Sequence, residues 1–385
     1  MSVFIRSFLF ILIIILSLLT NGTFERILYM VLGILLYLII SKEKNNKFGY
    51  YKKVISGLII GYLIANTILI SSKYEIAYEK FNNNNISDNK TAIILLFDID
   101  LPTYKPSILI KNFKDTNAFL KFYKLPFDLY KHKILIEKFG RNINTFYSEL
   151  ITKKLQENLG EDYIVYKGYV NQAPYIEETI QQAINNGNSQ IIVTPISLVG
   201  TKDIELHHGM VQETKFQTES VKFKSTNYLW DSELIAESYL EKVNSSIQVI
   251  DKSRAGIVLI GEVFNKETLN ETYIKQDVLF REKIRNLLKK DGYDNNKIRL
   301  SFLNKRLIEE EVGRLMEYGV GQIIIVHVSN QSQKNSSLEM VQNVMKSLEV
   351  PQDIKFVQIY GWAPDEYMIH ELLKRIELAK YKANE

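Results

Sequence analysis

Apolar and polar positions alternate along this chain in two different styles. The first 72 residues hold three apolar stretches without a charge, Phe8 to Leu19, Ile27 to Ile40 and Val54 to Ile70. With uncharged flanks, the first and third approach the roughly 17 to 20 residues of a spanning helix, while the second is somewhat short. The pattern predicts three spans. Next comes a polar run, Asn82-Asn83-Asn84-Asn85 with Ser87, Asp88 and Asn89, which carries too little apolar surface to pack and reads as a linker. From Ala92 onward, short apolar runs alternate with amphipathic stretches of helical period. Expected strands are Ala92–Phe97, Tyr163–Tyr166, Gln190–Ile196, Lys222–Leu229, Gly256–Ile260, Ile298–Leu303, Gln322–Val328 and Ile354–Ile359. Helices are expected over Asn144–Leu155, Tyr175–Asn186, Asp231–Val243, Asp277–Lys290, Ile308–Tyr318 and Asp365–Lys380, and a mixed, tyrosine-rich insert runs from Phe97 to about Gly140. This alternation signals an α/β fold with parallel sheets covered on both faces.

The second half repeats the first. Ile176-Glu177-Glu178, Gly187, Gln190-Ile191-Ile192 and Ser197 recur as Ile308-Glu309-Glu310, Gly319, Gln322-Ile323-Ile324 and Ser329, each 132 positions further on (176 to 308). A helix-loop-strand unit kept without a gap implies duplication, hence two similar doubly wound lobes with a cleft between them. The expected division is a transmembrane anchor at 1–72, a juxtamembrane segment and linker at 73–91, a first lobe at 92–243 and a second at 244–385. Ligands of open α/β sheets sit beyond the carboxyl ends of the strands, so residues just after each strand are the candidates for chemistry.

Charge changes the picture in two ways. Residues 1–72 carry seven Lys or Arg against two acids, which leaves 41 of the 48 basic and 42 of the 44 acidic residues to the body. A neutral body without a basic cluster argues against nucleic acid. The lipid bilayer is the expected partner, and the chain is expected in the cell membrane as a multi-pass protein. Lys42, Lys44, Lys47, Lys52 and Lys53 fill the second loop, whereas Asn21 to Arg26 has one Arg and one Glu. The positive-inside rule then places the second loop and the N-terminus in the cytoplasm and, with three spans, the body outside; with only two spans the body is cytoplasmic. A signal peptide is the alternative for the first stretch, but Ser17 to Phe24 lacks a small-x-small cleavage site. The absence of cysteine excludes disulfides, zinc-thiolate sites and thiol nucleophiles. No glycine-rich phosphate loop, serine elbow or zinc-binding helix motif occurs.

At the strand ends the chain resembles the ferrochelatases, two-lobed enzymes of the tetrapyrrole chelatase family that insert iron into a porphyrin. YVNQAPYIEETI (Tyr169 to Ile180) resembles the family segment in which a strand runs through a proline into a helix, and IIVTPISL the strand and proline loop that follow. GIVLIGEVFN lies where the family has a strand ending in serine-alanine-histidine, and the region after IIIVHVSN where it has an aspartate-histidine-x-glutamate loop. The resemblance covers most of residues 92–376. It implies a cleft for a tetrapyrrole and a divalent metal ion (iron, cobalt or zinc) as substrate. Ungapped, the metal-binding histidine of the family falls on Glu262 and its acidic partner near Asn335. A carboxylate ligates hard or borderline cations with different charge and softness from an imidazole.

Glu262 follows a buried strand immediately, so it must be hydrogen-bonded, paired with a neighbouring Lys, or turned to the cleft. It and His327, which ends the apolar run Ile323 to Val326, are the candidate catalytic and metal-side residues; core packing is the other reading of His327. His207 and His208, in a loop with Asp203 and Glu205, are second candidates for metal ligation, although adjacent side chains diverge. Asp98, Lys167, Tyr169 and Asn304 follow strands and are candidates for ligand binding, with turn formation before Pro102 as the alternative for Asp98 and helix capping for the others. His132 and His370 read as solvated. The competing hypotheses are a chelatase scaffold that has lost its chemistry and serves as a binding or structural module at the membrane, and a two-lobed receptor of the periplasmic-binding type.

Overall fold

The structure, a computed structural model, describes residues 2–41, 47–71, 90–115, 123–140, 143–201, 204, 221–248, 251–262, 271–329, 334–361 and 364–381. His207 and His208 lie outside the described residues, as does most of the linker. The chain forms two compact units, Met1–Ala77 with Pro102–Gly140, and Tyr78–Leu101 with Arg141–Glu385.

In the second unit, strands β1 (Thr91–Phe97), β2 (Tyr163–Tyr169), β3 (Gln190–Pro195) and β4 (Lys222–Ser225) form a parallel sheet of order β2-β1-β3-β4. Strands β5 (Ala255–Ile260), β6 (Ile298–Ser301), β7 (Gln322–His327) and β8 (Lys355–Tyr360) form another of order β6-β5-β7-β8. The orders correspond strand for strand, and the repeated Gln-Ile-Ile segments are β3 and β7, each third in its sheet. The helices of this unit are α6 (Ile143–Leu159), α7 (Ile176–Asn185), α8 (Glu233–Ser246), α9 (Glu271–Lys290), α10 (Lys305–Glu317), α11 (Asn335–Ser347) and α12 (Glu366–Tyr381). Observed ends lie mostly within a few residues of expectation, but of the strand expected over Lys222–Leu229 only Lys222–Ser225 pairs with β3, and the chain is loop from Thr226 onward.

Alternation explains the layers. Ile93, Leu95 and Phe97 of β1 point one way with Ile192, and Ile257 and Leu259 of β5 with Ile324 and Val326; all join a single core shared by both lobes. The other face of the first sheet (Ala92, Ile94, Leu96) packs on Ile176, Ile180 and Ala183 of α7. That of the second (Val258, Ile260) packs on Ile308, Val312 and Leu315 of α10 and on Val341 and Val344 of α11. Burial of strands on both faces is why they read as continuous apolar runs. The repeated helices end alike, at Gly187 (φ 82°) and Gly319 (φ 66°), a left-handed conformation that glycine adopts without steric cost. The lobes also exchange their last helices: α8, which follows the first sheet, packs on β7 and β8, and α12, which follows the second, packs on α6, β3 and β4.

The first unit holds α1 (Val3–Ser17), α2 (Thr23–Ile40), α3 (Lys47–Ser71), α4 (Pro106–Asp115) and α5 (Leu125–Phe139). All three apolar stretches are helical. Thr23–Ile40 and Gly49–Leu69 are long and apolar enough to cross a membrane, and α1, at 15 residues, is the shorter helix, where the sequence pattern made the middle stretch the short one. Helices α1 and α3 run parallel. A Cβ on Gly57 would lie 2.6 Å from Phe4 O, and one on Gly61 2.9 Å from Phe8 O, so the Gly57-x-x-x-Gly61 spacing lets the two backbones touch. The insert of the first lobe is not loop: α4 and α5 join Ile15, Leu18, Ala65 and Leu69 in one cluster through Ile110, Leu125 and Leu129. Lys133 of α5 is buried over the turn between α1 and α2, bonding Glu25 (2.6 Å), Ser17 O (3.1 Å) and Thr20 O (2.8 Å).

Candidate functional site

The central strands β1 and β5 end in carboxylates at matching places. The last pairs with β3 and β7 are Leu96 with Pro195 and Ile260 with His327, and Asp98 and Glu262 each stand two residues beyond their strand's member of the pair. Both are 1% exposed. A third group joins them from the second lobe. Lys334, at the start of α11, donates to both oxygens of Asp98 (2.9 and 3.1 Å), which also accepts from Asn171 Nδ2 (3.1 Å). One residue on, the Asn335 N–H donates to Asp100 Oδ2 (2.6 Å). The loop after β1 thus clasps the first turn of α11, where unpaired backbone N–H groups favour a carboxylate.

Among the described residues Glu262 has no ion pair of its own. Burial pushes its carboxyl up to about 8, helped by the charges of Asp277 and Asp98 and opposed by Lys334 and a hydrogen bond with Ser329. Its Oε1 finds no hydrogen-bond partner among the described residues. At neutral pH Glu262 therefore keeps its proton while Asp98 is clasped by an ammonium. Beneath it, Asp277 and Arg281 of α9 form a buried ion pair, with Arg281 Nη1 donating to Ser301 O (2.8 Å) and the Glu262 N–H to Asp277 Oδ1 (3.4 Å). Burial raises the Asp277 carboxyl too, against the pull of Arg281. A Cβ on Gly261 would lie 2.5 Å from Arg281 Nε, so only glycine lets this pair close under the strand end.

The other expected residues are placed apart from this cluster. His327 is fully buried; its Nε2 meets Gln358 Oε1 (3.1 Å) and its ring stacks on Tyr360 at 5.3 Å, on the sheet face that carries Ile323 and Ile325. Tyr169 is buried against Phe97, with its hydroxyl 3.2 Å from Ser148 Oγ. It borders a small recess of about 20 Å³, room for little more than one water, lined by Phe97, Ile99, Tyr147, Ile151 and Ile196 with Asn144 and Ser148. Lys167 is half-buried in β2 opposite Leu95. Asn304 is exposed and caps α10, its side chain accepting from the Leu307 N–H (3.3 Å). His132 and His370 are exposed. Lys334, Ser329, Asp277 and Arg281 are the cluster members that sequence reasoning missed. Lys334 had a signal, since it adjoins the position where the acidic partner of the family falls. Among the described residues no group of three or more His, Asp or Glu side chains is arranged to hold a metal ion. Two larger clefts open at the edge strands, one reaching the end of β4 at Ser225 with the Asp231–Arg375 ion pair on its wall, the other reaching the end of β8 at Tyr360 with the Lys242–Asp365 pair on its wall.

No protein-family model matches the chain. Ferrochelatase from Aquifex aeolicus (strain VF5) is 24% identical over 102 residues, which make up 25% of this chain and 32% of that protein. The match therefore spans about a third of the relative's length. Among solved structures, SirB from Bacillus subtilis with Fe3+ is 15% identical with a TM-score of 0.47, over 76% of this chain and 96% of that one. DR2241 from Deinococcus radiodurans, described as a multi-domain protein with structural similarity to chelatases, is 11% identical with a TM-score of 0.48, over 77% and 56%. The chain is a two-lobed α/β protein built on two parallel four-stranded sheets, and it is similar to ferrochelatase over a quarter of its length.

Proposed function

We propose that the chain is a membrane-anchored chelatase-like protein that binds a divalent metal ion, as substrate, and a tetrapyrrole at the strand ends where its lobes meet. The observation that carries this reading is the pair of buried carboxyls at matching strand ends, Asp98 clasped by Lys334 and Glu262 holding a proton. Both are places where a cation already stands in. A divalent ion that enters as the ammonium swings out and the proton leaves brings two positive charges and displaces two, so the buried site keeps its net charge. Carboxylates suit hard and borderline ions. When the ion passes to the macrocycle, Glu262 would regain a proton from one pyrrole N–H and Lys334 would return to Asp98, with the second pyrrole proton leaving to solvent.

The reading is tested with the full chain in detergent, titrated with protoporphyrin or sirohydrochlorin and with ferrous, cobalt or zinc ions while the absorption bands are followed. Metal-dependent band shifts that Glu262→Ala abolishes without lowering the melting temperature are expected. No band change in any combination removes both metal insertion and tetrapyrrole binding. A second reading, a binding or structural module without catalysis, is favoured by Lys334, which already neutralises Asp98. It predicts tetrapyrrole binding, or a stability loss in Glu262→Ala, with no metallation.

The bilayer belongs to the same proposal. With α1 and α3 parallel, the turn docked by Lys133 lies at one end of the helices, and the C-terminus of α2 and the N-terminus of α3, which flank the lysine-rich stretch of the sequence, lie at the other. The positive-inside rule then puts that stretch in the cytoplasm and the body outside. A compartment-sensitive reporter on the C-terminus reads the side directly; a cytoplasmic signal overturns the placement.

A further inference from the structure

Helix α5 carries an apolar ridge that its own unit leaves uncovered. Its inner face is committed: Leu125 and Leu129 are buried in the cluster with α1 and α3, and Lys133 is buried on Glu25. On the outer face, Phe127 is 67% exposed, Tyr130 55%, Tyr123 48% and Ile134 38%. These four are spaced by four, three and four residues, so they fall in one stripe along the helix and the turn before it. Three large aromatics and an isoleucine in a row are costly to leave in water, and scattered surface apolars do not align like this.

We infer that α5 lies against the bilayer at its interface, with Tyr123, Phe127, Tyr130 and Ile134 immersed in lipid. The occupant is named by continuity with the span. Tyr62 of α3 packs on Phe127 at 6.4 Å between ring centroids, and its hydroxyl donates to Tyr123 O. Tyr62 stands seven residues before Leu69, the end of the apolar window, hence about 10 Å inside it at ~1.5 Å per residue. Interfacial helices bury their apolar face to a depth of about 5–10 Å, so the ridge sits at the depth such a helix occupies. Lys124, Lys131 and Lys138 are exposed beside the ridge and suit anionic headgroups, and amphipathic tyrosines suit the boundary. The insert between β1 and α6 thus gives the body a second hold on the bilayer, independent of the spans themselves.

The inference rests on the membrane reading proposed above, and the experiment separates the two. The chain has no cysteine, so single cysteines can be placed and labelled with an environment-sensitive fluorophore: Phe127→Cys, Tyr130→Cys and Ile134→Cys on the ridge, His132→Cys on another face of α5, and Ile59→Cys on the exposed side of α3. The labelled full chains are reconstituted in vesicles of phosphatidylcholine and phosphatidylglycerol. Expected are blue-shifted emission at 127, 130 and 134, quenched by nitroxides near the lipid headgroups and not by iodide, with 132 quenched by iodide and 59 by nitroxides at the bilayer centre. If 59 reports lipid while the ridge positions respond to iodide like 132, the inference is overturned and the span stands. If 59 also responds to iodide, the membrane reading itself fails. Ridge positions shielded from both quenchers mean that protein, such as a second copy, covers α5, which equally overturns the inference.

Discussion

Replacing Glu262 by glutamine tests the electrostatics of the candidate site at constant volume. The folded carboxyl titrates at about 8 against an ordinary 4.5. Between those values the folded protein holds a proton that the unfolded chain has released, so stability falls as pH rises and levels off above about 8. The slope is about 1.4 kcal/mol per pH unit for one such group. By pH 7 the accumulated penalty is roughly 3 kcal/mol, an upper bound because unfolded chains bury part of their surface and a strained site relaxes. Glu262→Gln carries no such penalty, keeps a polar group for Ser329, and should lose its share of the pH dependence. In thermal unfolding of the full chain, a gain of that size at neutral pH corresponds to roughly 6–12 °C for a body of this length, shrinking to nothing near pH 5. Asp277 contributes a trend of the same sign in both proteins, so the difference between them isolates Glu262. If the two lose stability in parallel from about pH 5 to 8, Glu262 is ionised in the folded state and the proton-for-metal exchange has no proton to release.

Lys334→Met should cost about 3 kcal/mol because it leaves Asp98 buried and uncompensated, while the double variant with Asp98→Asn recovers most of that loss in a denaturant-unfolding cycle. A double variant as unstable as the single one refutes the pairing. Below pH 8 the apparent affinity for zinc or cobalt should rise up to tenfold per pH unit, measured by competition with a chromophoric chelator, and Glu262→Gln should flatten the rise. Gly261→Ala should destabilise by roughly 1–3 kcal/mol or more, since the new methyl group meets the closed Asp277–Arg281 pair. Gly61→Leu should part α1 from α3 and lower the melting temperature in detergent without altering the unfolding of the body; an unchanged protein would mean the helices do not pack there.

The duplicated lobes were legible because the features that repeat are local: a capped helix, a glycine in the left-handed region, and a strand buried on both faces. The residues after the strands were legible for the same reason, which is how Asp98 and Glu262 came to notice. What joins them was not. Lys334 is 236 positions from Asp98, and no periodicity links a lysine before one helix to an aspartate after a distant strand. His327 looked like a cleft residue because it ends an apolar run, yet two-residue alternation from Ile323 and Ile325 sets it on the α10 and α11 face. Helices α4 and α5 were read as a mixed insert because α5 has apolar residues all round, with one face packed on α1 and α3 and the other exposed, so the helical signature blurs.

The exchange of α8 and α12 makes the body mechanically indivisible. Each sheet relies on a helix that the chain delivers from the other half, so a cut between Ser246 and Asp251 would yield fragments that each carry the wrong cover and expose the shared apolar layer. Such fragments should stay clamped together after proteolytic nicking and melt in a single transition, and neither should survive when produced alone.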